Sequence, residues 1–471
     1  MTPTEYGAYD AVGLAALVRA GEVTPLELVD CALRQIEALD GDIGAIVHLD
    51  EQAARAAAKN VDPAAPLTGV PFLIKDTNID VAGMPTRHGS LFYRDRPAAS
   101  ADSELVRRWR AAGLIILGKS KTPEFAGDFV TEPSSLGPAR NPHDLAMATG
   151  GSSGGAAAAV AACYVPAAHG TDCGGSIRIP AAVCGVIGLK PTRGRVPVGP
   201  DVGELVSGLD CEYVLTRTVR DTAAFLDISA APDLGAPYQA PAFAGSWLSA
   251  STVKGRRQRI GVTTLRPDGS PVDSEIAAAT LRIAAFLEGE GHEVEAFVWP
   301  DLSDAGSAAE VFWQLDIAAH IERRCAELGR LPKPEELEPL SWAAWEQTKA
   351  RSALDYYQAK LRQNRVSRAM ATAMGSMDAI LLPTTAAMPP RIGGFHAGKS
   401  FDYAGWSSKA YAFAPFTEIF NLTGQPAISL PVAELNTKRL PIGMQIAGRF
   451  GDEAGLLALS AELEAAGQLR K

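Results

Sequence analysis

Three short strings bring together side chains that could attack a carbonyl carbon. They are Gly69-Val70-Pro71-Phe72-Leu73-Ile74-Lys75-Asp76, Gly150-Gly151-Ser152-Ser153-Gly154-Gly155 and Gly170-Thr171-Asp172-Cys173-Gly174-Gly175-Ser176-Ile177-Arg178-Ile179-Pro180. A serine hydroxyl is a weak nucleophile at neutral pH, so another group must take its proton as it attacks. No histidine occurs in the three strings, and lysine is the remaining base. A proton passing from Ser176 through Ser152 to Lys75 meets the requirement, provided the lysine is neutral. Burial depresses a lysine pKa, and the apolar run Val70 to Ile74 leading into Lys75 is consistent with it. Gly174 and Gly175 let successive N–H groups turn toward one point, giving an expected oxyanion hole from the amides of Cys173, Gly174, Gly175 and Ser176.

Taken singly, these residues have plainer readings. Lys75 alone is a solvated charge at a strand end, Ser152 and Ser153 are turn residues, and Ser176 is a helix N-cap before Ile177. Their joint occurrence favours the catalytic reading for Lys75, Ser152 and Ser176 and leaves Ser153 structural. Asp172 and Arg178, charged residues in an apolar setting, are expected to pair and support the loop before Ser176. Lys119, Lys190, His143 and His169 are read as structural, and Cys163, Cys173 and Cys184 as buried packing residues. Gly150-x-Ser152-x-Gly154 also matches the nucleophile elbow of α/β-hydrolases in form. That motif needs a strand directly before it, and Asn141 to Thr149 is a poor strand.

The strings resemble the amidase signature family, in which a Ser-Ser-Gly-Gly serine bridges a lysine and a Gly-Gly-Ser nucleophile. The resemblance continues through Thr24-Pro25-Leu26-Glu27-Leu28, Gly118-Lys119-Ser120, Arg140-Asn141-Pro142, Gly188 to Arg195, Gly424-Gln425-Pro426-Ala427 and Pro441-Ile442-Gly443-Met444-Gln445, nearly the whole chain. It implies an amidase with Ser176 as nucleophile, Ser152 as relay after a cis Gly151–Ser152 bond, and a seryl acyl-enzyme. The implied fold is α/β, a large mixed, mostly parallel twisted sheet flanked by helices.

The wording of Thr131-Glu132-Pro133, Ala168-His169-Gly170, Ile179 to Val186 and Ser341-Trp342 looks most like the 6-aminohexanoate cyclic-dimer hydrolase and aryl-acylamidase branches. The glutamyl-tRNA amidotransferase A subunit is also similar, but its downstream pattern is replaced here by Val198-Gly199-Pro200-Asp201-Val202-Gly203-Glu204. With Ile179 just after the Ser-Ile-Arg string, these resemblances point to a neutral, fairly apolar amide: an aryl amide, a linear or cyclic nylon-type amide, or a carbamate. Phe125, Ala126, Phe129, Ile179, Trp313 and Leu315 are the expected pocket walls. A catalytically silent binding protein is the competing class, and retention of all three reactive residues counts against it.

These residues need a scaffold, and the remaining chain suggests one. Residues 9–40 read as two helices, the second opening with Thr24 as cap, Pro25 first in the helix and Glu27 closing a capping box. Val70 to Ile74 and Leu114 to Leu117 read as strands, which puts Lys75 at a strand end. The Gly-, Ala- and Ser-rich stretch from Gly150 to Gly208 is interleaved with apolar residues and is read as packed core rather than linker. Residues 229–258 look like a surface connection, followed by a strand at Arg259 to Thr264 and a helix at Glu275 to Glu288. Ala308 to Met374 is helical apart from the loop Leu331 to Pro339, and is expected to cap a pocket within a single domain spanning 1–471. Two late core strands are expected at Ala379 to Pro383 and Ala427 to Pro431.

The 471 residues are 47% hydrophobic and 21% charged, an ordinary globular composition. A formal net charge of -10 argues against a surface that tracks phosphates, so no nucleic-acid partner is expected. Met1 to Asp10 shows no secretory pattern, and Ala156 to Ala168, broken by Pro166, is too short to span a bilayer. The expectation is a cytoplasmic enzyme, monomer or homodimer, using a small-molecule amide and water, with no membrane partner and no cofactor. The six cysteines include no C-x-x-C pair, and the seven histidines no H-E-x-x-H helix, so reduced thiols and no metal are expected.

Overall fold

A computed structural model describes residues 1–252, 255–395 and 401–470. In chain order its strands are β1 (Ile46–Leu49), β2 (Pro71–Lys75), β3 (Ile115–Ser120), β4 (Arg140–Asn141), β5 (Asp144–Ala148), β6 (Ala167–Thr171), β7 (Ile187–Lys190), β8 (Glu212–Thr216), β9 (Arg259–Val262), β10 (Glu293–Ala296), β11 (Ala379–Pro383), β12 (Ala427–Leu435) and β13 (Pro441–Gly448). Eleven of them form one mixed sheet in the order β1-β3-β2-β6-β8-β7-β12-β13-β11-β9-β10, and β4 pairs with β5 in a separate ribbon. Helices flank the sheet, as the α/β expectation required.

The expectation of mostly parallel pairing is corrected. β3, β2 and β6 run parallel, as do β11, β9 and β10. The other six neighbouring pairs are antiparallel. For one of these pairs the cause is connection length: β12 returns into β13 through a turn closed by Asn436 N–H on Leu440 O (3.1 Å), and so short a return allows only antiparallel pairing.

Local signals place the helices. Thr24 Oγ1 accepts from Glu27 N–H (3.2 Å) and Glu27 Oε2 from Thr24 N–H (2.8 Å), so the expected capping box starts helix Pro25–Ile43. That helix ends on Gly44, whose φ of 64° is cheap only for glycine. The long helical stretch resolves into Ala305–Leu328, Pro339–Thr348 and Ala353–Met374, with a 3₁₀ turn Pro334–Glu336 in the proline-rich loop. Residues 229–258 form the expected irregular connection apart from the short helix Trp247–Ala250; residues 253 and 254 lie outside the described set.

β2 and β6 are buried at every position because helices cover them. Phe72 of β2 stacks on Phe225 at 5.4 Å and meets Trp109 edge-on at 5.0 Å. Helices Glu104–Ala111 and Val219–Ser229, which carry those two rings, thereby press on the strand that ends in Lys75. The Gly- and Ala-rich region is core as expected: helix Gly154–Ala161 is buried from Gly154 to Val160.

Candidate active site

Parallel strands β2 and β6 end side by side, and their ends deliver the reactive groups. Lys75 is the last residue of β2; Thr171 ends β6 and opens the loop to Ser176, after which helix Arg178–Cys184 begins. Ser152 and Ser153 precede helix Gly154–Ala161, and the Gly151–Ser152 bond is cis, as the family resemblance implied. Ser153 ties the strings together: its Oγ accepts from Thr171 N–H (3.2 Å) and donates to Thr171 O (3.3 Å), and its N–H donates to Ser176 O (3.1 Å).

Lys75 Nζ lies 2.7 Å from Ser152 Oγ and 2.8 Å from Thr171 Oγ1. The lysine is fully buried, and that burial pulls its pKa down to about 8 against the opposing pull of Asp210, Cys173, Glu212 and Asp172. Burial brings Lys119 and Lys190 to about 8 as well. Geometry separates the three. Lys119 Nζ donates to Ile79 O and Thr86 Oγ1 (3.1 Å each), and Lys190 Nζ to Pro191 O (2.8 Å), so only Lys75 reaches a serine.

Ser176 is buried, and its Oγ has no hydrogen-bond partner among the described residues. The N-cap reading is not realised, since the helix after it has Ile177 at the cap and no side-chain capping bond.

The loop before Ser176 is held by a buried ion pair. Asp172 accepts from Arg178 Nε (2.9 Å) and Nη2 (2.7 Å), a two-point contact, and from the N–H groups of Gly175 (2.8 Å) and Ile177 (3.2 Å). Arg178 continues to Asn421 Oδ1 (2.6 Å), Gln445 Oε1 (2.7 Å) and Thr417 O (2.8 Å). Burial pushes the Asp172 carboxyl upward, but the guanidinium and Asn421 outweigh it and hold the pKa below the ordinary value. The expected pairing of Asp172 with Arg178 is therefore present. One oxyanion expectation is corrected: the Gly175 N–H is committed to Asp172 Oδ1, and the φ of 127° at this glycine turns it there. The amides of Cys173, Gly174 and Ser176 remain as the donors to consider.

Several residues behind Lys75 escaped the sequence reading. His169 Nδ1 accepts from Lys75 N–H (3.2 Å), so the ring proton is on Nε2, which donates to Glu212 Oε2 (2.5 Å). Glu212 Oε1 accepts from Asn78 Nδ2 (2.8 Å), which also donates to Asp210 Oδ2 (3.0 Å). Burial, reinforced by Lys75, keeps His169 neutral by lowering its pKa well below the usual range. A usable signal existed: Glu212 is a carboxylate directly before the apolar run Tyr213-Val214-Leu215, and a charge inside a buried strand needs partners.

The expected wall residues separate into groups. Trp313 abuts Gly174, where a Cβ would stand 2.7 Å from its Cζ2, and Phe129 meets Trp313 edge-on at 5.7 Å. Ile179 is buried beneath the loop, with its Cδ1 2.7 Å from where a Gly175 Cβ would be. Phe125 instead stacks on His320 (5.7 Å) and meets Tyr93 edge-on (5.9 Å), within a separate aromatic cluster. Ala126 is half-buried with φ 54°, and Leu315 is half-buried against the main core. Cys163 is only half-buried, unlike Cys173 and Cys184, and all six cysteines are free thiols. The elbow alternative fails on topology, because the strand before Ser152, β5, lies in a ribbon with β4 that is separate from the main sheet.

A family model described as Amidase matches residues 27–457. The chain is 36% identical over 480 residues to the 6-aminohexanoate-cyclic-dimer hydrolase of Paenarthrobacter ureafaciens, an alignment covering 97% of this chain and 94% of that protein. It superposes on a 6-aminohexanoate cyclic dimer hydrolase solved with its substrate at a TM-score of 0.92, with 34% identity and 97% of each chain covered. A bacterial aryl acylamidase of the amidase signature family gives a TM-score of 0.88 at 28% identity, covering 97% of this chain and 96% of that one. Among the described residues no helix is long and apolar enough to cross a membrane, and no cluster of three potential metal ligands occurs.

Proposed function

The chain belongs to the amidase signature family and is an amide-cleaving hydrolase, and from that premise we propose that it hydrolyses neutral, fairly apolar amides through an acyl-enzyme on Ser176. The observation that carries the reading is the 2.7 Å contact between a buried Lys75 and Ser152 Oγ, together with a buried Ser176 hydroxyl that has no hydrogen-bond partner among the described residues.

The proposed proton path runs through those three side chains. Neutral Lys75 takes the Ser152 proton as Ser152 takes that of Ser176, and Ser176 Oγ bonds to the carbonyl carbon. The negative oxygen of the tetrahedral intermediate is met by the N–H groups of Cys173, Gly174 and Ser176. The proton returns through Ser152 to the nitrogen, the C–N bond breaks and the amine leaves. Water then gives up a proton along the same path as it attacks the Ser176 ester, releasing the acid and restoring the serine. Thr171 Oγ1 holds Lys75 Nζ toward Ser152 throughout.

The substrate class rests on Phe129, Trp313 and Ile179 around the loop and on the likeness to hydrolases of cyclic nylon dimer and aryl amides. Aryl amides, linear or cyclic nylon-type amides and carbamates all fit this reading. We read the chain as one catalytic unit, with helix Ala305–Leu328 covering the site through Trp313.

The test is direct. Wild-type protein should react with a fluorophosphonate and turn over anilides, short nylon oligomers or carbamates, and Ser176→Ala should do neither. Undiminished labelling of Ser176→Ala would remove it as nucleophile.

A further inference from the structure

Beside the nucleophile loop lies a polar pair that the proton path does not use. Trp313 lays its indole edge against Gly174, where a Cβ would stand 2.7 Å from Cζ2 and 3.5 Å from Cε2, the atom bonded to Nε1. Trp313 is 9% exposed, and its Nε1 has no hydrogen-bond partner among the described residues. The same point at Gly174 is 3.6 Å from Glu418 Oε1. Glu418 is 4% exposed, and Tyr411 Oη donates to its carboxyl at 3.0 Å from each oxygen. Burial pushes this carboxyl up to about 8. At neutral pH it is uncharged and both donates and accepts hydrogen bonds.

The pair is fixed to the loop that carries the nucleophile. Thr417 Oγ1 donates to Gly174 O (2.6 Å), and Arg178 Nη1 donates to Thr417 O (2.8 Å), so the residue before Glu418 is tied to the loop at both ends. Phe129 closes the apolar side, edge-on to Trp313 at 5.7 Å and to Tyr411 at 6.1 Å.

An unmet indole N–H and an uncharged carboxyl, both close to the point where a Gly174 Cβ would stand, complement a secondary amide. The indole meets the carbonyl oxygen and the carboxyl meets the N–H. The leaving nitrogen must stand beside Ser152, which returns the proton, whereas Trp313 and Glu418 abut Gly174. Their partner is therefore in the acyl portion. Resting on the amidase reading above, we propose that Trp313 and Glu418 form a recognition subsite for a second amide in the acyl chain, making oligoamides the preferred substrates.

The experiment compares kcat/KM for the para-nitroanilides of 6-acetamidohexanoic acid, an alkanoic acid of equal length, and 6-aminohexanoic acid. The acetamido compound should lead the alkyl one by about tenfold, the effect of one or two neutral hydrogen bonds. In Trp313→Phe and in Glu418→Leu that ratio should collapse toward one, while Glu418→Gln, which keeps a donor and an acceptor, should hold it. A wild-type ratio near one, a preference for the ammonium compound, or a ratio indifferent to both Trp313→Phe and Glu418→Leu would overturn the subsite. Calorimetry on Ser176→Ala reads the same preference without turnover. Tighter binding of the acetamido compound there, with no hydrolysis or fluorophosphonate labelling of the wild type, would keep the subsite and reject the function; equal binding would reject the subsite.

Discussion

Lys75 is asked to accept a proton, so its protonation state sets the pH behaviour. Its pKa is lowered to about 8, chiefly by burial, and the neutral form therefore gains as pH rises through that value. Below pH 8, kcat/KM should fall by about tenfold per unit of acidification, as for a single essential base. A profile flat from pH 6 to 9 would remove Lys75 from that role. Lys75→Ala should lose about 100- to 10,000-fold in kcat, the usual contribution of a positioned base, with Ser176 still in place. At this scale the three residues proposed to react could be picked out because each lies in a short local string. Thr171, Glu212 and Glu418 were not, because each acquires its role from a group distant in the chain: Lys75 for Thr171, His169 for Glu212, Gly174 for Glu418.

The loop from Asp172 to Ser176 and the helix that follows form one element, closed by the two-point contact of Asp172 with Arg178. Both side chains are fully buried, so removing one leaves the other charged and unpaired. Asp172→Ala should cost about 3–5 kcal/mol in urea unfolding, and it also frees the Gly175 amide that now defines the loop. A loss below about 1 kcal/mol, as for an exposed pair, together with an unaltered kcat, would show that the loop keeps its shape without the pair. Helices were readable in advance because their signals are local, as with Thr24, Pro25 and Glu27 at the start of Pro25–Ile43. Pairing direction was not. Residues 427–431 spell a strand, but only the short return into β13 makes it antiparallel.

Across the whole molecule, the site depends on how tightly the sheet is covered. Phe72 lies between Trp109 and Phe225 and is fully buried, three residues before Lys75. Phe72→Ala should cost about 3–5 kcal/mol in urea unfolding, and a value under about 1 kcal/mol would mean the core collapses around the gap. The sheet order carries a different consequence. Lys75, Ser152 and Ser176 all lie in the first half of the chain, yet Arg178 is completed by Thr417, Asn421 and Gln445 near its end. A ribosome therefore assembles the reactive atoms long before the residues that brace them. The loop before Ser176 therefore gains its last bracing partners only when Thr417, Asn421 and Gln445 have been added to the chain.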